Sequence, residues 1–116
     1  MTIVDTNYLV RLFTNRPKNL ANQAIDDLRI SEAKSVYLRD YVVSELVYVL
    51  EFHAELAYGR RRIAQGLRLI LSHPAWVCDH KLHDAALTKY EATKFDYVDC
   101  LVIAESQLAR ATMVLT

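Results

Sequence analysis

The sequence predicts an α/β fold, a central parallel sheet of four or five strands flanked by helices. Three observations predict it. Short β-prone runs alternate with longer stretches of helical periodicity, the order produced when helices cross over between parallel strands. Gly and Pro number only two each in 116 residues, too few for the many tight turns of an all-β fold. Hydrophobic residues make up 53% of the chain, which supplies a core and argues against disorder. The length suits a single domain over residues 1–116.

The first strand is Thr2-Ile3-Val4, which stops at Asp5. Leu9, Val10, Leu12 and Phe13 continue as a helix until Pro17 breaks it and starts the next. That helix carries Leu20, Ala24, Ile25 and Leu28 at helical spacing. Val36-Tyr37-Leu38 reads as the second strand. Asp40 then offers an N-cap to a long helix from Tyr41 towards Tyr58, closed by Gly59. Ile63, Leu67, Ile70 and Leu71 mark one apolar stripe of a further helix, which His73-Pro74 ends. Ala75 to Cys78 is the third strand, and Leu82, Ala85, Ala86 and Tyr90 belong to the helix after it. A final helix runs from near Asp96 to about Ala109, before a last strand over Thr112 to Leu115.

Net charge is zero, with 14 basic and 14 acidic side chains. A nucleic-acid partner would therefore have to be met by local basic patches and bound cations rather than by a basic chain. Cys78 and Cys100 sit in apolar stretches and read as buried, reduced thiols. Asp5 and Arg11 interrupt the only apolar N-terminal stretch, so no signal peptide is expected there. The Tyr41–Leu50 run is too short to span a bilayer and carries Glu45. These features point to a soluble cytoplasmic protein without a membrane partner.

Three acidic features bear on chemistry. Ligands of open parallel sheets bind beyond the carboxyl ends of the strands, where Asp5 stands, followed by Thr6 and Asn7. A helix cap is the plainer use of Asp5 alone. Glu45, with Ser44, is the polar exception in a run that is otherwise apolar on every side, which predicts a helix buried on both faces. A carboxylate there needs a basic partner, a proton or a metal ion. Asp96 and Asp99, at i and i+3, fall on one face of a helix start, where capping alone would account for both. Together, the three features lie at one edge of a parallel layer. Carboxylates about 5 Å apart repel by roughly 3 kcal/mol per pair at an effective dielectric near 20. A divalent cation offsets that repulsion, and an all-oxygen donor set selects Mg²⁺ or Mn²⁺. Such an ion binds phosphate and activates water for in-line displacement.

At these residues the sequence resembles a known family. Ile3-Val4-Asp5-Thr6-Asn7 followed by Leu9 resembles the opening of PIN domains, VapC toxins above all. The run from Val43 to Leu50 around Glu45 is similar to that family's second acidic motif. Asp96-Tyr97-Val98-Asp99-Cys100 through Ala104 resembles its third, with Asp99 in the place of the steadier ligand. Val114-Leu115-Thr116 resembles the strand preceding a fourth acid, so that either the native chain continues past Thr116 or a second metal is held poorly. The resemblance implies a metal-dependent endoribonuclease with Asp5, Glu45 and Asp99 as catalytic residues and metal ligands, Asp96 at the margin, and Mg²⁺ or Mn²⁺ as cofactor. It also implies an RNA substrate, a homodimer and a cognate antitoxin. Thr6, Asn7, Ser44, Arg11 and Arg39 are the candidate substrate contacts. A catalytically weak or inactive PIN fold that binds RNA or protein is the alternative.

Other features carry less. Arg60-Arg61-Arg62 reads as a solvated helix start, although three cations there oppose the helix dipole, and phosphate contact is the other use for them. Cys78, His80 and His83 have zinc-like spacing but no second pair to complete a site, so Asp79 reads as a helix cap instead. A haloacid-dehalogenase phosphatase would place a second Asp where Asn7 stands.

Overall fold

The computed structural model describes residues 2–115, and the chain divides into two units, Met1–Cys78 and Asp79–Thr116. The first contains the sheet. Its strands are β1 (Thr2–Ile3), β2 (Val36–Tyr37) and β3 (Trp76–Val77), in the spatial order β1-β2-β3. Both pairings are parallel, with Ile3 opposite Tyr37 and Tyr37 opposite Val77. Backbone bonds extend the ladder by a residue at its end, from Val4 N–H to the Tyr37 carbonyl at 3.4 Å and from Leu38 N–H to that of Val77 at 3.0 Å.

The described residues hold three strands rather than the four or five expected. The missing one is the run Thr112 to Leu115, which has no strand structure and leaves Met113, Val114 and Leu115 exposed. β-Propensity expresses fit to a pleated, half-buried surface. An apolar run without a neighbour to complete its hydrogen bonds does not become a strand. Thr116, the last residue of that expectation, lies outside the described residues.

Four helices complete the first unit: α1 (Thr6–Thr14), α2 (Lys18–Ile30), α3 (Asp40–Phe52) and α4 (Arg60–Leu71). α1 packs on α2, α3 and α4, and α3 packs on α4. α3 buries Val42, Val43, Leu46, Val47 and Leu50 on one face. Each such side chain contributes about 2 kcal/mol by leaving water.

The long helix expected to reach Tyr58 ends at Phe52. Beyond it the chain reverses through Ala57, at φ 44°, and Tyr58 N–H returns to the Leu50 carbonyl at 2.8 Å. That bond satisfies an acceptor the helix end leaves open. Because the left-handed residue is an alanine, no glycine marks the reversal. Gly59, expected to close this helix, instead precedes α4 in extended conformation, at φ −70° and ψ 155°. Asp40 also differs from expectation. It is the first residue of α3, in the turn where a carboxylate suits the dipole, and Arg39 occupies the cap position without a side-chain capping bond.

The second unit is a helix pair, α5 (His80–Ala92) packed along α6 (Tyr97–Leu108). Asp79 caps α5 by accepting from Leu82 N–H at 3.1 Å, as its sequence position predicts. The pair is tied by a buried contact of 2.7 Å between His83 Nδ1 and the Tyr97 hydroxyl, with Tyr90 edge-on to Tyr97. His83 therefore has a structural role rather than zinc-ligand geometry. Both cysteines are free thiols; Cys100 is buried as expected, whereas Cys78 is only partly so.

α1 and α4 approach closely because Gly66 has no side chain. A Cβ there would overlap the ring of Phe13, which is itself held edge-on to Tyr58 at 5.2 Å. Gly66→Ala gains about 1 kcal/mol of helix propensity but meets an overpacking cost of about 1–3 kcal/mol. It is expected to lower unfolding free energy by up to about 2 kcal/mol in urea denaturation, and by less in a Phe13→Leu background.

Candidate active site

Parallel pairing sets the geometry of a cleft in the first unit. Because β1 and β2 run the same way and end level, α1 and α3 begin side by side at the carboxyl edge of the sheet. A cleft of about 860 Å³ reaches this edge and also takes in Thr2, Glu32 and Ser35 from the strands' amino end; Asp5 from the end of β1 and Glu45 from the second turn of α3 both line it. Thr6 and Arg11 of α1 line it as well. Asn7, Ser44 and Arg39 do not line this cleft. The Ser44 hydroxyl donates to the Asp40 carbonyl at 3.1 Å, and the Arg39 guanidinium lies 4.6 Å from the centre of the Tyr37 ring.

Asp5 has two roles available. One oxygen accepts from Tyr8 N–H at 3.0 Å, capping α1 from an extended backbone. A single such bond leaves the second oxygen for a ligand. Glu45 departs from expectation. It is exposed, and so are Tyr41, Tyr48 and Phe52 on the same side of α3, at 69%, 66% and 58%. The helix has one core face rather than two. Its aromatic arc is apolar in composition, but apolar side chains make up much of any folded surface and are not thereby forced inside. Glu45 thus keeps its charge in contact with water and makes no ion pair among the described residues.

Two further carboxylates, Asp27 and Glu32, line the same cleft. Sequence reasoning missed them because nothing local distinguishes them from a solvated helix end. Packing brings them in: the Tyr8 hydroxyl donates to the Ala24 carbonyl of α2 at 2.6 Å. Four carboxylates and one cation, Arg11, thereby line a single cleft, without any three of the acids being gathered closely enough to hold a metal ion among the described residues.

Asp96 and Asp99 belong to the second unit. Asp96 caps α6, accepting from Asp99 N–H at 2.8 Å. Asp99 lies exposed in the first turn, and its carboxylate makes no ion pair among the described residues. Among the described residues, no group of three or more His, Cys, Asp or Glu side chains is gathered closely enough to hold a metal ion. By chemistry, the exposed, all-oxygen anionic donors of Asp5 and Glu45 suit a hard divalent cation.

Residues 2–116 match the family described as PIN domain. The chain belongs to the PIN domain family. PIN domains are typically metal-dependent nucleases, which accords with the acidic cleft at the carboxyl edge of this sheet. Neither the curated proteins nor the solved structures yield a match to this PIN domain. None of its described helices is long and apolar enough to cross a membrane.

Tyr8 links the cleft wall to the fold and makes it sensitive to alkali. Burial raises its pKa above the ordinary 10.0, and the negative charge of Asp27 adds to the effect. A raised folded-state value means that the neutral phenol is the form the fold prefers. The stability this contributes is complete below pH 10 and is lost as pH rises through the higher folded value. Tyr8→Phe is expected to cost about 1 kcal/mol near neutrality through loss of the Ala24 bond. It should also flatten the decline in stability above about pH 10 in denaturant titrations.

Proposed function

We propose that this PIN domain is a Mg²⁺- or Mn²⁺-dependent endoribonuclease, the toxin of a VapBC-type toxin–antitoxin pair. One observation supports the nuclease reading: Asp5 and Glu45 line one cleft, whose lining holds four carboxylates and one arginine. An excess of negative charge on that scale suits a divalent cation, which in turn draws in a phosphodiester. The proposed ligands are Asp5, Glu45 and Asp99, with Asp96 at the margin. When bound, the ion neutralises phosphate charge and lowers the pKa of water for hydrolysis.

The chain's own residues do the remaining work. Arg11, which lines the cleft with the acids, orients a phosphate oxygen, and the Thr6 hydroxyl offers a hydrogen bond beside it. Asn7, Ser44 and Arg39 are proposed as outer contacts along the RNA. Glu45, exposed to water, is proposed as the group that would accept a proton from the attacking water. Asp96 caps α6 with one oxygen and stays at the margin, while the Asp99 carboxylate, exposed in the first turn, is proposed as that helix's main ligand.

The regulatory half of the proposal concerns protein partners in the cytoplasm, a cognate antitoxin and a second copy of the chain. An arginine offered by the antitoxin would pair with cleft carboxylates through two parallel hydrogen bonds, excluding the metal. The exposed arc of Tyr41, Tyr48 and Phe52, with the last two rings 5.1 Å apart, offers the adjoining apolar surface. The same fold could also bind RNA or protein without cutting it. Cleavage of RNA decides between the two readings.

Asp99→Asn is expected to abolish Mg²⁺-dependent cleavage of total RNA while leaving the melting temperature unchanged or raised. Asp96→Asn should instead cost under about 1 kcal/mol of stability, since Asn still caps, and should spare most activity. Reversed effects would overturn the assignment of roles. For the regulatory half, co-expression with the neighbouring upstream gene should give a stable, silent complex from which added Mg²⁺ releases activity. Failure of both leaves only the nuclease.

A further inference from the structure

One element is built against its own stability. α4 begins Arg60-Arg61-Arg62, has no acidic residue in its first turn, and follows a glycine that supplies no side-chain cap. Three cations at a helix N-terminus oppose the dipole, and residues 56–78 contain four arginines but no Asp or Glu. A chain with zero net charge has therefore gathered cations here. Positions that break a local rule are characteristic of functional surfaces.

The three arginines are deployed differently. Arg60 is half-buried and paired with Glu51 at 3.3 Å, so that its charge is already met. Arg62 is exposed, and its guanidinium lies 5.4 Å from the centre of the Tyr58 ring. Tyr58 in turn is braced edge-on by Phe13. Arg61 is exposed, and neither it nor Arg62 makes an ion pair among the described residues. Beside Arg62 runs a shallow groove of about 330 Å³ between α1 and α4, walled by Phe13, Gly66 and Leu69 with Gln65 among its lining residues. An arginine held against an aromatic ring presents its other face to a nucleobase and its edge to phosphate. Cations combined with aromatic and apolar walls are the features by which single strands are held without sequence preference. An acidic peptide would use the charge but not the stacking.

We propose that the α1–α4 face, with Arg61 and Arg62 on phosphates and the Arg62–Tyr58 pair under a base, is a second subsite for single-stranded RNA. It deepens the nuclease reading and rests on it for the identity of the substrate. Phe13 stands eight positions beyond Asp5 along α1, a rise of roughly 12 Å. The subsite therefore grips the strand away from the acidic cleft. It supplies the attraction that four cleft carboxylates withhold from a polyanion. It also explains how a chain of zero net charge engages RNA.

The test is fluorescence anisotropy of a labelled, mixed-sequence single-stranded RNA of about twelve nucleotides, titrated with the full chain in EDTA so that no cleavage occurs. Arg61→Gln/Arg62→Gln is expected to raise Kd roughly tenfold and to reduce the slope of log K against log salt by about 1.4, at about 0.7 for each phosphate no longer neutralised. Tyr58→Leu should raise Kd roughly fivefold or more while leaving the slope unchanged. Arg61→Glu separates function from structure: relief of the dipole conflict leaves the melting temperature unchanged or higher, while RNA affinity falls. Unchanged Kd and slope in the double variant would overturn the proposal. So would binding of a poly-glutamate peptide that depends on both arginines when RNA binding does not. Cleavage by the unaltered chain in Mg²⁺ is scored separately. A protein that binds through Arg61 and Arg62 but never cuts would keep this subsite and lose the nuclease reading.

Discussion

Parallel pairing of β1 with β2 is the constraint on which the rest of the first unit depends. The register that places Ile3 opposite Tyr37 makes the two strands end level. Each then feeds a helix that starts at the same edge, and the N-terminal turns of α1 and α3 stand side by side. An antiparallel pairing would have put Asp5 and Glu45 at opposite ends of the sheet. With strands only two residues long, the ladder contributes few hydrogen bonds. Much of the unit's apolar burial comes instead from its helices, among them the core face of α3 from Val42 to Leu50.

The same arrangement explains the distribution of charge. Carboxylates collect where helices begin, because their charge suits the positive end of the dipole: Asp5 before α1, Asp40 in the first turn of α3, Asp96 and Asp99 at the start of α6. Capping and chemistry draw on one pool of residues. Asp5 and Asp96 each cap with one oxygen and have the other to spare. α4 reverses this pattern. Its arginines stand where acids would stabilise the helix, and the conflict is met by Glu51 for Arg60 and by the Tyr58 ring for Arg62.

Acidic cleft and basic face lie on the same unit, at opposite ends of α1. A divalent cation and a phosphate backbone require opposite fields, and a chain with 14 charges of each sign can supply both only by segregating them. α1 forms the rigid spacer. Its tyrosine ties it to α2 at one end through the Ala24 carbonyl, and its phenylalanine lies against the glycine of α4 at the other.

By itself, the sequence determined what local physics controls. The order of strands and helices follows from the period of the apolar residues, and the caps at Asp79 and Asp96 follow from short-range hydrogen bonding. Asp5, Glu45 and Asp99 were singled out by their places in the sequence and by the family resemblance, and of these Asp5 and Glu45 line one cleft. Tertiary structure decided what depends on distant partners. It ended α3 at Phe52 through a bond between Tyr58 and Leu50, and it left Thr112 to Leu115 without strand structure. It also turned Glu45 towards water rather than into a core. Asp27 and Glu32 entered the cleft because α2 packs on α1. Periodicity reveals that a helix has an apolar face, but not whether a second apolar arc finds anything to pack against. That depends on long-range packing, which no window of sequence contains.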